Sequence, residues 1–105
     1  MLFSVGAALL DACVLSVLAG EDAYGYVLTQ TLKESIEISE STLYPVLRRL
    51  QKDDCLSTYD VAWQGRNRRY YKITEKGMGM ALEYRKAWMD FRGRVDSLIV
   101  GGIAA

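Results

Sequence analysis

Apolar side chains recur at Leu43, Val46, Leu47 and Leu50, the i, i+3, i+4, i+7 spacing of one helix face. Ser39 stands before that run as an N-cap and Glu40 places an acid in the first turn, so a helix is predicted from there. Pro45 falls within its first two turns, where the missing N–H deprives the Ser41 carbonyl of a partner. Upstream, Leu10, Val14, Val17 and Leu18 mark a helix over Ala8 to Leu18 that Gly20 ends. Tyr24, Leu28, Thr31 and Leu32 predict a second helix over Tyr24 to Glu34, with Asp22 as its cap. Between these two helical runs and the third, Ile36 and Ile38 are spaced for one face of a short extended segment.

From Leu56 the period changes. Leu56 to Trp63 and Arg68 to Ile73 are rich in Thr, Val, Tyr, Trp and Ile, and Gln64-Gly65-Arg66-Asn67 between them supplies turn residues, which predicts a β-hairpin. Thr74 then caps a last helix with Glu75 in its first turn, ending at Gly101-Gly102. Met78, Leu82, Arg85, Trp88 or Met89, Arg92, Val95 and Ile99 track its face. At ~1.5 Å per residue this helix is about 39 Å long, more than the body of so small a domain. Its large apolar residues (Trp88, Met89, Phe91, Leu98) therefore want cover from another chain.

Three helices, a hairpin and a long helix define the expected fold class: mainly α with a small β-hairpin (α+β), a winged helix-turn-helix with a C-terminal dimerisation helix. Residues 1–73 form the winged part and residues 74–105 the helix and tail, within one structural unit. A length of 105 residues fits one domain, and half of them are hydrophobic. A domain this short gains from burial against a partner subunit.

Net charge is zero and the pI is about 6.2, but the charge is unevenly spread. Residues 48–72 hold Arg48, Arg49, Lys52, Arg66, Arg68, Arg69 and Lys72 against Asp53, Asp54 and Asp60. A basic stretch on a neutral protein is the footprint of a polyanion partner or, equally on charge alone, a solvated strand and helix face. The chain has no histidine, and Cys13 and Cys55 lack metal-ligand spacing, so neither a zinc site nor a cofactor is expected. Two isolated cysteines suit a reducing cytoplasm, with Cys13 as a small buried hydrophobe. The apolar first twenty residues resemble a signal peptide or membrane span. Asp11 in their middle and the absence of any Lys or Arg before Lys33 oppose both readings.

A helix that enters a major groove must show polar donors opposite its core stripe. Here that face carries Ser41, Thr42, Tyr44, Arg48 and Arg49, hydroxyls that reach bases or phosphates and arginines that pair with phosphate or guanine. The hairpin adds Arg66, Asn67, Arg68 and Arg69 around Gly65. Thr42 serves equally as a plain helix-start residue, and one of Tyr70 and Tyr71 belongs to the core because the two alternate faces. Trp63 braces the wing.

Tyr24-Gly25-Tyr26, the run Ser41 to Leu50 (STLYPVLRRL) and the run Arg68 to Gly77 (RRYYKITEKG) resemble the signature segments of the PadR family of transcriptional regulators, in the same order and spacing. The resemblance covers about residues 8–100. It implies a homodimer joined through its first and last helices, binding a pseudo-palindromic operator in double-stranded DNA, with a small-molecule or environmental cue relieving repression. Ser41, Thr42, Tyr44 and Arg48 then lie on the recognition helix, and Arg66, Arg68 and Arg69 in or beside the wing. Some members of that family bind flat aromatic compounds between paired C-terminal helices, so Trp88 is read as dimer interface first and as an effector contact second. Two features depart from the family's pattern: no proline near Asn67 in the wing, and one C-terminal helix only, as in its short members. The rival reading is a ligand-sensing or protein-interaction winged helix without DNA binding. No catalytic constellation can be assembled, so an enzyme is not expected.

Overall fold

The computed structural model describes residues 2–103. α1 (Ala7–Gly20) runs through the centre, with Val14, Leu15 and Leu18 fully buried. α2 (Gly25–Lys33) adds Leu28 and Leu32 to this core, and α3 (Glu40–Lys52) adds Leu43, Leu47 and Leu50. The three apolar stripes read from spacing converge here, except that Val17, Tyr24, Thr31 and Val46 are only partly buried. Thr29 is wholly buried, and its hydroxyl satisfies itself by donating to the Gly25 carbonyl at 2.8 Å.

The sheet has three strands. β2 (Leu56–Trp63) and β3 (Arg66–Ile73) form the expected antiparallel hairpin, and β1 (Ala23–Tyr24) pairs with the far side of β3, giving the order β1-β3-β2. Tyr24 therefore belongs to a strand and precedes α2 rather than starting it. Asp22 does not cap α2; its carboxylate instead accepts from the Tyr59 hydroxyl at 2.7 Å. The segment around Ile36 and Ile38 is not a strand either, though both side chains pack on the core.

α3 ends in a Schellman motif. Cys55 N–H reaches the Leu50 carbonyl at 2.9 Å, Asp54 N–H reaches that of Gln51 at 3.1 Å, and Asp54 takes the left-handed conformation at φ 61°. α4 (Glu75–Gly102) is fastened to this corner by Thr74 and Lys76. Thr74 caps the helix, accepting from Gly77 N–H at 3.0 Å, while its own hydroxyl donates to the Asp54 carbonyl at 2.6 Å. Lys76 donates to the Asp53 carbonyl at 2.8 Å.

The face of α4 turned to the core differs from the expected one. Gly77 and Ala81 are buried, and Met80 and Tyr84 pack beside them, whereas Met78 and Leu82 are exposed. Small residues allow the closest approach of helix to body and contribute little to an apolar stripe, so the pattern pointed to larger neighbours. Beyond Tyr84 every residue of the helix but Val95 is exposed, although Trp88 and Phe91 still border Leu9 and Ala12 of α1. The radius of gyration is 15.9 Å and the long axis 59 Å, against about 13 Å expected for a compact chain of ~100 residues.

Candidate nucleic-acid interface

Three hydroxyls gather at the start of α3. Ser39 Oγ accepts from Thr42 N–H at 3.3 Å and lies 2.9 Å from Ser41 Oγ and 3.1 Å from Thr42 Oγ1. Ser41 and Thr42 are exposed, and the positive end of the helix dipole lies beneath them. Thr42 thus takes part in the cap and still faces solvent. Tyr44 leans on α2: a β-carbon at Gly25 would sit 2.6 Å from its hydroxyl oxygen. Its ring fixes the spacing of the two helices of the turn motif while part of it stays exposed.

Arg48 and Arg49 part company. Arg48 is exposed on the outer face and lies within electrostatic reach of the Tyr71 hydroxyl. Arg49, expected beside it, turns to α1, where its Nη2 donates to Asp11 Oδ1 in an ion pair. Asp11 is only 6% exposed, so the charge that opposed a membrane span is held inside the fold by this arginine. The signal for this pairing was the buried acid itself, 38 positions upstream, where sequence reading found no partner.

The wing turns through Gln64 (φ 48°) and Gly65 (φ 76°), two left-handed residues that match the twist of a tight hairpin. Trp63 pairs with Arg66, so Arg66 and Asn67 belong to β3 rather than to the turn. Along β3 the side chains alternate. Tyr71, 7% exposed, faces the core with Arg69 further out on the same side, and Arg69 Nε stands 3.6 Å from Asp60 Oδ1. Arg68 and Tyr70 face the other way. Tyr70 stacks on Tyr59 and meets Tyr24 edge-on, both at 5.4 Å, in an aromatic row across all three strands. The Arg68 guanidinium carbon lies 4.5 Å from the ring centroids of both Tyr24 and Trp63, which braces the wing as expected of Trp63.

Helix and wing meet at Tyr71. Burial pushes its hydroxyl above the ordinary phenol range and Tyr44 adds to this, while Arg69 and Arg48 pull it back. An arginine from α3 and one from β3 thus both act electrostatically on this hydroxyl. Arg66 and Asn67 are exposed at the wing's tip.

Trp88 is remote from this surface. It lies on α4 in an open groove of about 380 Å³ with Leu9, Ala12, Cys13 and Tyr84, its ring 6.4 Å from Phe91. Cys13 is partly rather than fully buried, and this burial raises its thiol pKa; Cys55 is the buried cysteine. Among the described residues no group of His, Cys, Asp and Glu could hold a metal ion, and no helix is long and apolar enough to cross a membrane.

Residues 14–82 match the Transcriptional regulator PadR-like family. Transcriptional regulator Rv3488 of Mycobacterium tuberculosis is 36% identical over 75 residues, covering 70% of each protein. Among solved structures, smu.1704 from Streptococcus mutans superposes with a TM-score of 0.88 at 37% identity, covering 100% of this chain and 99% of that one. The PadR-like transcriptional regulator BC4206 from Bacillus cereus superposes with a TM-score of 0.80 at 32% identity, over 87% of this chain and 91% of its own.

Proposed function

Because the chain belongs to the PadR-like family of transcriptional regulators, we propose that it is a sequence-specific repressor that binds double-stranded DNA as a homodimer. The observation that carries this reading is the exposed polar face of α3, where Ser41, Thr42 and Arg48 meet solvent, together with the exposed Arg66 and Arg69 of the wing. Phosphate neutralisation by Arg48, Arg66, Arg68 and Arg69 supplies affinity, and Ser41, Thr42 and Tyr44 at the head of α3 supply base contacts. Arg49 supports the helix from behind.

Dimerisation follows from α4. Trp88, Met89, Phe91, Leu98 and Ile99 are exposed along a helix that projects from the body, a face that a second copy covers. Two-fold symmetry then presents two recognition helices to half-sites about one helical turn, ~34 Å, apart. The groove holding Trp88 adjoins that seam, where a small aromatic effector could relieve repression. Its place in a cytoplasmic regulator accords with two free cysteines.

Selection of bound fragments from the source genome tests the reading. Recovery of pseudo-palindromic sites upstream of genes is expected; recovery of no enriched sequence by the intact dimer contradicts it.

A further inference from the structure

α1 has two working faces. Leu9 and Ala12 line the groove against Trp88 and Tyr84 of α4, the surface assigned above to the dimer. Asp11, between them in sequence, pairs with Arg49 on α3. Tyr84 of α4 packs on the same core and feels both charges electrostatically. α1 and α3 also share the aliphatic core, to which they bring Leu10, Val14, Leu43, Leu47 and Leu50. Such packing is non-directional and tolerates a small slide or rotation. The Asp11–Arg49 hydrogen bond is directional: the Arg49 side chain is 46% exposed, but the buried Asp11 carboxylate has its desolvation offset only while that bond is made.

We propose that Asp11 is a positioning residue for DNA binding, fixing through Arg49 the angle at which the recognition helix leaves the dimerisation helices. The proposal rests on the DNA-binding reading. Its content is that a side chain with no access to DNA sets sequence discrimination, and that Arg49 acts through Asp11 rather than on a phosphate. Non-specific binding is electrostatic and needs no particular helix angle, whereas base readout does.

The test uses the full chain, a duplex recovered by selection from random-sequence DNA, and an unselected duplex of equal length. Affinities are measured across a salt series for the parent, Asp11→Asn, Arg49→Gln, the double variant and Arg48→Ala. Each of the first two substitutions is expected to cut the ratio of selected to unselected affinity by about tenfold. The double variant falls no further, and the slope of log affinity against log salt stays at the parent's value. Arg48→Ala, which removes a phosphate partner, lowers that slope by ~0.9. An Asp11→Asn protein that discriminates like the parent overturns the proposal. So does an Arg49→Gln protein whose slope falls as Arg48→Ala's does, an outcome that decides the matter even if Asp11→Asn does not fold. If selection with the parent recovers no duplex, the DNA-binding reading itself fails and takes this proposal with it.

Discussion

A β-carbon on Gly77 would lie 2.1 Å from the carbonyl oxygen of Cys55. That oxygen is backbone, already held by Thr74 N–H at 3.0 Å, and it cannot swing aside. Gly77→Ala is therefore expected to destabilise the protein by about 1–3 kcal/mol, against the gain Ala ordinarily brings to a helix. Gly79, two residues on, has open space where its β-carbon would be. Gly79→Ala is expected to stabilise by about 0.5–1 kcal/mol, and urea unfolding of both variants checks the contrast.

The same corner shows what the sequence could and could not disclose. The runs around Leu43 and Leu10 repeat at helical spacing over about two turns, and both helices lie where the spacing predicts. β1 is two residues long, too short for any period, and exists because Tyr71 and Tyr70 offer Ala23 and Tyr24 a strand edge nearly fifty positions away. The inward face of α4 was misread because its nearest approaches are made by Gly77 and Ala81, while the larger Met78 and Leu82 point outward. Arg49 shares the polar side of the α3 pattern with Arg48, and only the depth of Asp11 separates their roles.

Loss of stability in alkali is expected from the tyrosines. Burial raises the Tyr71 and Tyr84 pKa values above the ordinary phenol value of 10.0, and the hydrogen bond to Asp22 raises that of Tyr59. A raised phenol pKa means that the folded state holds the proton more tightly. This stability is fully present below the unfolded value and is lost as pH rises through the folded one. Unfolding midpoints should be level up to about pH 9 and fall above about pH 10. Tyr71→Phe should fall less steeply; an equal slope contradicts the burial argument.

The projecting half of α4 should carry dimer stability. Leu98 is 76% exposed and Phe91 lies beside Trp88. Phe91→Asp places a charge in the seam and is expected to weaken dimerisation about tenfold or more in sedimentation equilibrium, with helix content retained. An unchanged dimer constant would place the partner elsewhere.

Arg68 and Arg66 should separate wing rigidity from charge. Arg68→Ala removes a cation held by Tyr24 and Trp63 as well as a phosphate partner. It is expected to weaken DNA binding and to cost about 0.5–1 kcal/mol in urea unfolding, leaving the dimer folded. Arg66 has an exposed side chain at the tip, and Arg66→Ala should lower the salt slope by ~0.9 with stability unchanged. Equal stability losses in the two variants contradict the bracing role of Trp63.

Amide chemical shifts, recorded as a selected duplex is added, test most directly which surface meets DNA. Shifts are expected to cluster at Ser41 to Arg48 and Gln64 to Arg69, leaving Arg49's partner Asp11 and the exposed stretch of α4 past Tyr84 with smaller changes. A cluster centred on α4, with Ser41 to Arg48 and Gln64 to Arg69 unmoved, would contradict the account.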